Sequence, residues 1–126
     1  MIRIVRLPQY DSELREILKE RTIYFSEQGI PARELNKKFL ADIKTTLTLI
    51  KDHPFQGVDF PHPVKKILTS EGNSQCAILY SLLPTEHNQD VAKVEDILLN
   101  SIMRTNSGSY NDYVSDLKIH CEYGED

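Results

Sequence analysis

The chain has 126 residues, 40% hydrophobic and 27% charged, with a formal net charge of −4. That is enough for one domain with a real core, and it excludes both a disordered polymer and a second domain. The acidic balance argues against indiscriminate nucleic-acid binding, which relies on Lys and Arg neutralising phosphates, though it leaves room for a local basic patch.

In chain order, Ile2–Leu7 (IRIVRL) alternates and reads as a first strand ended by Pro8. Asp11 or Ser12 suits the cap of a following helix, whose apolar face is Leu14, Ile17, Leu18, Tyr24 and Phe25 and which closes at Gly29. A second, longer helix follows at once. Ala32, Leu35, Phe39, Ile43, Leu47 and Ile50 step by three or four and draw one stripe along it. Pro31 suits its first position, Lys51 and His53 its negative end, and Pro54 forbids continuation. So short a connection predicts an antiparallel helical hairpin.

Val58–Val64 (VDFPHPV) has two prolines and no period, which predicts a loop. Val64–Leu68 predicts a short strand, Thr69–Ser74 a turn, and Cys76–Leu83 (CAILYSLL) a strand buried on both faces. After a polar loop, Val91–Leu99 fits a helical stripe through Val91, Val94 and Leu98. It also fits a strand returning beside the previous one, and the strand is the reading adopted. Asn106–Ser109 breaks the chain, Tyr110–Ile119 is spaced as a short helix, and residues 119–126 form an acidic tail. The expected fold is α+β. It comprises an N-terminal strand, an antiparallel two-helix hairpin, a three-stranded antiparallel meander whose one face the hairpin covers, and a short C-terminal helix. Residues 1–118 form the single domain.

Three stretches carry a resemblance. YFSEQGIPARELNKKFLADIKTTLTLIKDHPFQG has an aromatic pair, a G-x-P turn, a long helix, then Pro and Gly. VKKILTSEGNSQCAILYSLL has a basic strand, a turn and an apolar strand carrying Tyr80. In IMRTNSGSYNDYVSDL, Arg104 is followed six residues on by Tyr110. In this order the chain resembles the RelE/ParE superfamily of toxins from bacterial type II toxin–antitoxin modules. The resemblance implies a toxin neutralised by a cognate antitoxin. In the RelE branch it implies metal-free cleavage of ribosome-bound mRNA through attack of the RNA's own 2′-OH, with no cofactor. Such a reaction needs cations against the charge building on phosphorus and groups that move protons. By that resemblance Arg104 clamps the phosphate, Tyr110 stacks on a base or transfers a proton, and Lys65 and Lys66 bind RNA. As strand neighbours, only one of the two lysines can reach a given face.

The sequence also departs from the family. Ala77 stands where an Arg three residues before the strand Tyr is usual, and Glu95–Asp96 occupy a region often basic. These features favour the alternatives, a non-enzymatic ParE-like inhibitor of DNA gyrase or a degenerate toxin-fold binding module. His53 and His62 lie nine apart with no third ligand at a recognised spacing, so no metal site is expected. His87 and His120 read as solvated side chains, Cys76 as a core residue and Cys121 as a surface thiol. The charges of the second helix, Arg33, Glu34, Lys37, Lys38, Asp42 and Lys44, read most simply as a solvated surface. The N-terminus lacks the apolar core and cleavage site of a secretory signal. No run is long and apolar enough to span a membrane, so a cytoplasmic setting without membrane contact is expected.

Overall fold

A computed structural model of the chain describes residues 2–60, 63–69, 76–86 and 89–105. Strand β1 (Arg3–Arg6) leads into helices α1 (Pro8–Glu27) and α2 (Ala32–Asp52). Strands β2 (Val58–Asp59), β3 (Val64–Leu68), β4 (Cys76–Leu83) and β5 (Asp96–Arg104) follow. The fold is thus mixed α+β: two helices and one five-stranded sheet of order β1-β5-β4-β3-β2. Strands β2 to β5 run antiparallel in succession, whereas β1 lies parallel to β5 at the sheet's edge.

Several expected boundaries shift for identifiable reasons. Helix α1 starts at Pro8 rather than near Asp11, because proline at the first turn gives up no hydrogen bond and has a pre-set φ. Pro31 is the residue before α2, not its first helical one. Gly29 closes α1 with φ +69°, the left-handed conformation that favours glycine. The stretch expected as a loop after Gly57 contains β2, whose two residues pair with Lys65 and Lys66. The expected strand 91–99 begins late. The Asp90 carboxylate accepts from Ala92 N–H at 3.0 Å and winds Val91–Lys93 into one 3₁₀ turn. The strand itself spans 96–104. Pairing starts where the Arg3 amide donates to Glu95 O at 2.9 Å and the Glu95 amide to Leu83 O at 2.8 Å. The helix expected at 110–119 and the tail at 119–126 lie outside the described residues.

The core sits between the helical hairpin and one face of the sheet. Tyr10, Ile17, Phe39, Ile43 and Ile50 from the helices close on Cys76, Ile78, Tyr80, Leu82, Ile97, Leu99 and Ile102. The α2 stripe supplies this core as its spacing predicts, with Thr46 added; its hydroxyl is satisfied by Asp42 O, one turn back, at 3.0 Å. Among the described residues, no helix is long and apolar enough to cross a membrane.

Candidate functional site

Strand parity divides the sheet residues into those under the helices and those on the opposite face, open in the sense that no described helix covers it, although Ala77, Leu79 and Ser101 on it are buried. On β4, Cys76, Ile78, Tyr80 and Leu82 join the core, so Ala77, Leu79, Ser81 and Leu83 alternate onto the open face. On β3 the register places Lys65 and Ile67 with the core residues, and Val64, Lys66 and Leu68 with the open ones. On β5 the parity changes midway. Leu79 pairs with Ser101 and Tyr80 with Leu99, which leaves Asn100 as an extra, bulged residue. Asn100 and Ser101 therefore both belong to the open side. Asn100 Nδ2 donates to Ser81 Oγ at 2.7 Å, and Ser101 Oγ donates at 2.7 Å to Glu13 of α1, which runs past the edge of β5.

The open face holds a hollow of about 340 Å³. Val64, Leu79 and Met103 give it an apolar lining, and Gln9, Ser81, Asn100 and Ser101 provide amides and hydroxyls. Neutral donors and acceptors over an apolar floor suit hydrogen bonding and burial, not neutralisation of a phosphate. Two cations share this face. Arg3 is tied to Asp96 by paired bonds of 2.8 and 3.2 Å, and the carboxylate raises the guanidinium's pKa. Lys66 lies over the Phe60 ring, its Nζ 4.5 Å from the centroid.

The other expected cations are elsewhere. Lys65 is on the helix side, donating to Gly57 O at 3.4 Å and pairing with Asp59 at 3.1 Å. Arg104 is also on the helix side, opposite Cys76 in register. It donates to Ile17 O at 3.4 Å, lies 3.7 Å from the Glu20 carboxylate, and borders a smaller hollow whose other charged groups are Glu13, Glu16 and Glu20. The bulge causes this placement. Strict alternation from Leu99 carries residue 104 to the open face, and the one extra residue turns it back under α1. The structure therefore does not bring Arg104 together with Lys66. Tyr110, His62, His87, His120 and Cys121 lie outside the described residues.

Two features of this region were not evident from the sequence. Arg21 is buried, its guanidinium 4.3 Å from the Phe39 centroid and 5.1 Å from that of Phe25. It donates to Asn36 Oδ1 at 3.0 Å and to Leu35 O at 3.3 Å. Burial lowers its pKa, and nearby Arg104 lowers it further. Its signal was the four-residue step Ile17–Arg21–Phe25, which puts an arginine in the apolar stripe. The second feature is Tyr80, which fastens the end of α2 to the sheet. Its buried hydroxyl donates to Pro54 O at 3.0 Å and accepts from Gly57 N–H at 3.0 Å. A Cβ at residue 57 would fall on the Tyr80 hydroxyl, so the close approach requires glycine there.

Neither buried thiol nor buried phenol is prepared for chemistry. Burial pushes the Cys76 thiol up to about 11, against the pull of Arg104 and Arg21, and so keeps it protonated at neutral pH. Burial likewise raises Tyr10 to about 12, and its hydroxyl has no hydrogen-bond partner among the described residues. Among the described residues, no group of three or more His, Cys, Asp and Glu is placed to hold a metal ion. Compared with known proteins, the chain matches no family profile and no curated sequence.

Proposed function

We propose that this chain is a toxin-fold protein of the RelE/ParE kind that acts by binding a protein through its open sheet face, not by cutting RNA, and that an antitoxin holds it in check. The element order and the three sequence stretches above support the fold kinship. The observation that carries the binding reading is the chemistry of the open face. Gln9, Ser81, Asn100 and Ser101 surround an apolar floor, Ala77 adds only a methyl group, and Arg104 is turned under α1 among carboxylates. Phosphoryl transfer on RNA needs several converging cations or proton-transfer groups at one point. Amides and hydroxyls around a dry patch are instead the usual makings of a protein contact. Of the two non-enzymatic alternatives, this favours direct inhibition of a protein target, as in the gyrase-directed branch.

Controlled expression in bacteria tests the reading. Growth arrest with intact mRNA, preserved in Arg104→Ala and lost in the open-face variant Met103→Glu, is the expected result. Codon-position cuts in mRNA that vanish in Arg104→Ala and Tyr110→Phe would overturn the binding reading. Absence of arrest would remove the toxin role.

A further inference from the structure

The charges of α2 suit an ordinary solvated surface, but on the folded hairpin four of its five cations line up on one side, while Lys38 lies apart between Glu34 and Asp42. Arg33, Lys37, Lys44 and Lys51 follow one another at steps of four, seven and seven residues, and all are exposed. At 3.6 residues per turn these steps return to nearly the same azimuth, so the four make a single ridge about 27 Å long. The ridge lies beside α1. Asn36 of α2 donates to Thr22 Oγ1 at 2.9 Å and accepts from Arg21, which fixes the side of α2 that meets α1. On α1, Arg15 lies about 20° from the azimuth of Thr22 and Lys19 about 60° beyond it, and both are exposed. Two rows of cations therefore flank the seam on the hairpin's outer surface.

Acidic residues lie off this surface on both helices: Glu34, Asp42 and Asp52 on the side of α2 away from α1, and a run on the far side of α1. Glu13, Glu16, Glu20 and Glu27 step by three, four and seven, and the first three border β5. None of the six cations forms an ion pair among the described residues, where the four pairs involve Arg3, Arg6, Lys65 and Arg104. Solubility alone is served by interspersed signs, and an acidic chain gains nothing in solubility from a segregated basic face. Leu40 is the one large exposed hydrophobic residue between the rows. A peptide partner normally seeks several apolar anchor points, whereas a phosphate backbone needs only cations in line.

We propose that the outer surface of the α1–α2 hairpin binds double-stranded RNA through its sugar–phosphate backbone, with Arg15, Lys19, Arg33, Lys37, Lys44 and Lys51 as the phosphate contacts. Packed helices are about 8–10 Å apart, so the two rows match phosphates on either side of the narrow A-form major groove better than the roughly 12 Å B-DNA groove. The contacts read shape and charge, not sequence. The inference is independent of the open-face reading, because it uses the opposite side of the molecule.

The test is fluorescence anisotropy of the full chain with a labelled RNA duplex of about 20 base pairs, titrated from about 50 mM salt upward. Binding is expected with a log–log salt slope near −5, about 0.9 for each of six phosphates. Combining Arg15→Gln, Lys19→Gln, Lys37→Gln and Lys44→Gln should cut the slope by about 3 to 4 and weaken binding about tenfold or more, with far-UV circular dichroism unchanged. Lys93→Gln, on the loop before β5, should change neither. Undetectable binding at the lowest salt, or full binding by the quadruple variant, overturns the proposal. So does equal affinity for a DNA duplex of the same sequence, and so does tighter binding of labelled polyglutamate, which would assign the surface to an acidic protein.

Discussion

The two faces of the sheet are built from the same strands but by different means. Under the helices every second residue of β4 is large and buried, and Phe39, Ile43 and Ile50 close over them. The Tyr80 hydroxyl there is pinned by Pro54 and Gly57, whereas the Tyr10 hydroxyl finds no partner among the described residues. On the open side Ala77 and Leu79 are buried too, yet neither belongs to the core cluster. Their neighbours are Ser81 and Asn100, joined by one 2.7 Å hydrogen bond, and Ser101, which bonds to Glu13 of α1, all beside a hollow. The contrast teaches that the large apolar packing lies on the helix side and the neutral polar groups on the other. The single bulged residue, Asn100, marks the division: it breaks the alternation, adds polar groups to one face and returns Arg104 to the other.

The sharpest way to break this comparison is to remove bulk from the helix side. Phe39→Ala deletes a buried ring that also forms one wall of the Arg21 slot, and should cost about 3–5 kcal/mol in urea or guanidinium unfolding. A loss below about 1 kcal/mol would mean that the helix side is not where this fold stores its stability.

Alkali probes the same side without mutation. The folded chain holds Cys76 near 11 and Tyr10 near 12, above their ordinary 9.0 and 10.0, so between these values it binds more protons than the unfolded chain. Stability contributed by the two groups is complete below about pH 9 and is lost as pH rises through 11 and 12, by up to about 2–3 kcal/mol for each group. Cys76→Ala should flatten the first part of that decline in denaturation midpoints measured from pH 8 upward. An unchanged decline would assign it to other groups.

Tyr80→Phe tests the pin between the faces. It leaves Gly57 N–H and Pro54 O buried without their partner and should cost about 1–3 kcal/mol. Amide exchange should accelerate around residues 54–57 before it does elsewhere. A uniform change along the chain would mean that the hydroxyl does not anchor this corner.

The helix side was the more legible of the two in the sequence. The α2 stripe, the limits of β3 and β4, and the burial of Cys76 follow from periodicity and from Gly and Pro punctuation. The short β2 was not legible, because two residues carry no period; pairing with β3 decides them. The start of β5 was obscured by Val91 and Val94, which imitate a strand although the Asp90 side chain winds the first of them into a turn. The open face was least legible. That Lys65 and Lys66 point opposite ways follows from strand parity alone, but which of them is outward depends on where the helices lie. The side taken by Arg104 depends on the bulge, and one polar residue in a strand gives no local sign that it will be skipped in the pairing. Cation sorting on the hairpin was present in the residue spacing, but it acquires meaning only once Thr22 and Asn36 fix how the helices face each other.

The smallest effect expected is at Lys66, and it bears on the open face itself. Its ammonium lies over the Phe60 ring near the thinly paired edge of the sheet, where a cation–π contact is worth about 0.5–1 kcal/mol. Lys66→Leu keeps apolar bulk at this position and removes the charge, so its stability should stay within about 1 kcal/mol of the parent. If the open face works by apolar and hydrogen-bonded contact with a protein, the same variant should leave growth arrest largely intact, whereas Met103→Glu, which places a carboxylate beside the apolar floor, abolishes it. The reverse pattern, with arrest lost in Lys66→Leu and kept in Met103→Glu, would mean that charge and not the neutral lining governs this face. That result would assign an anionic target to this side of the sheet.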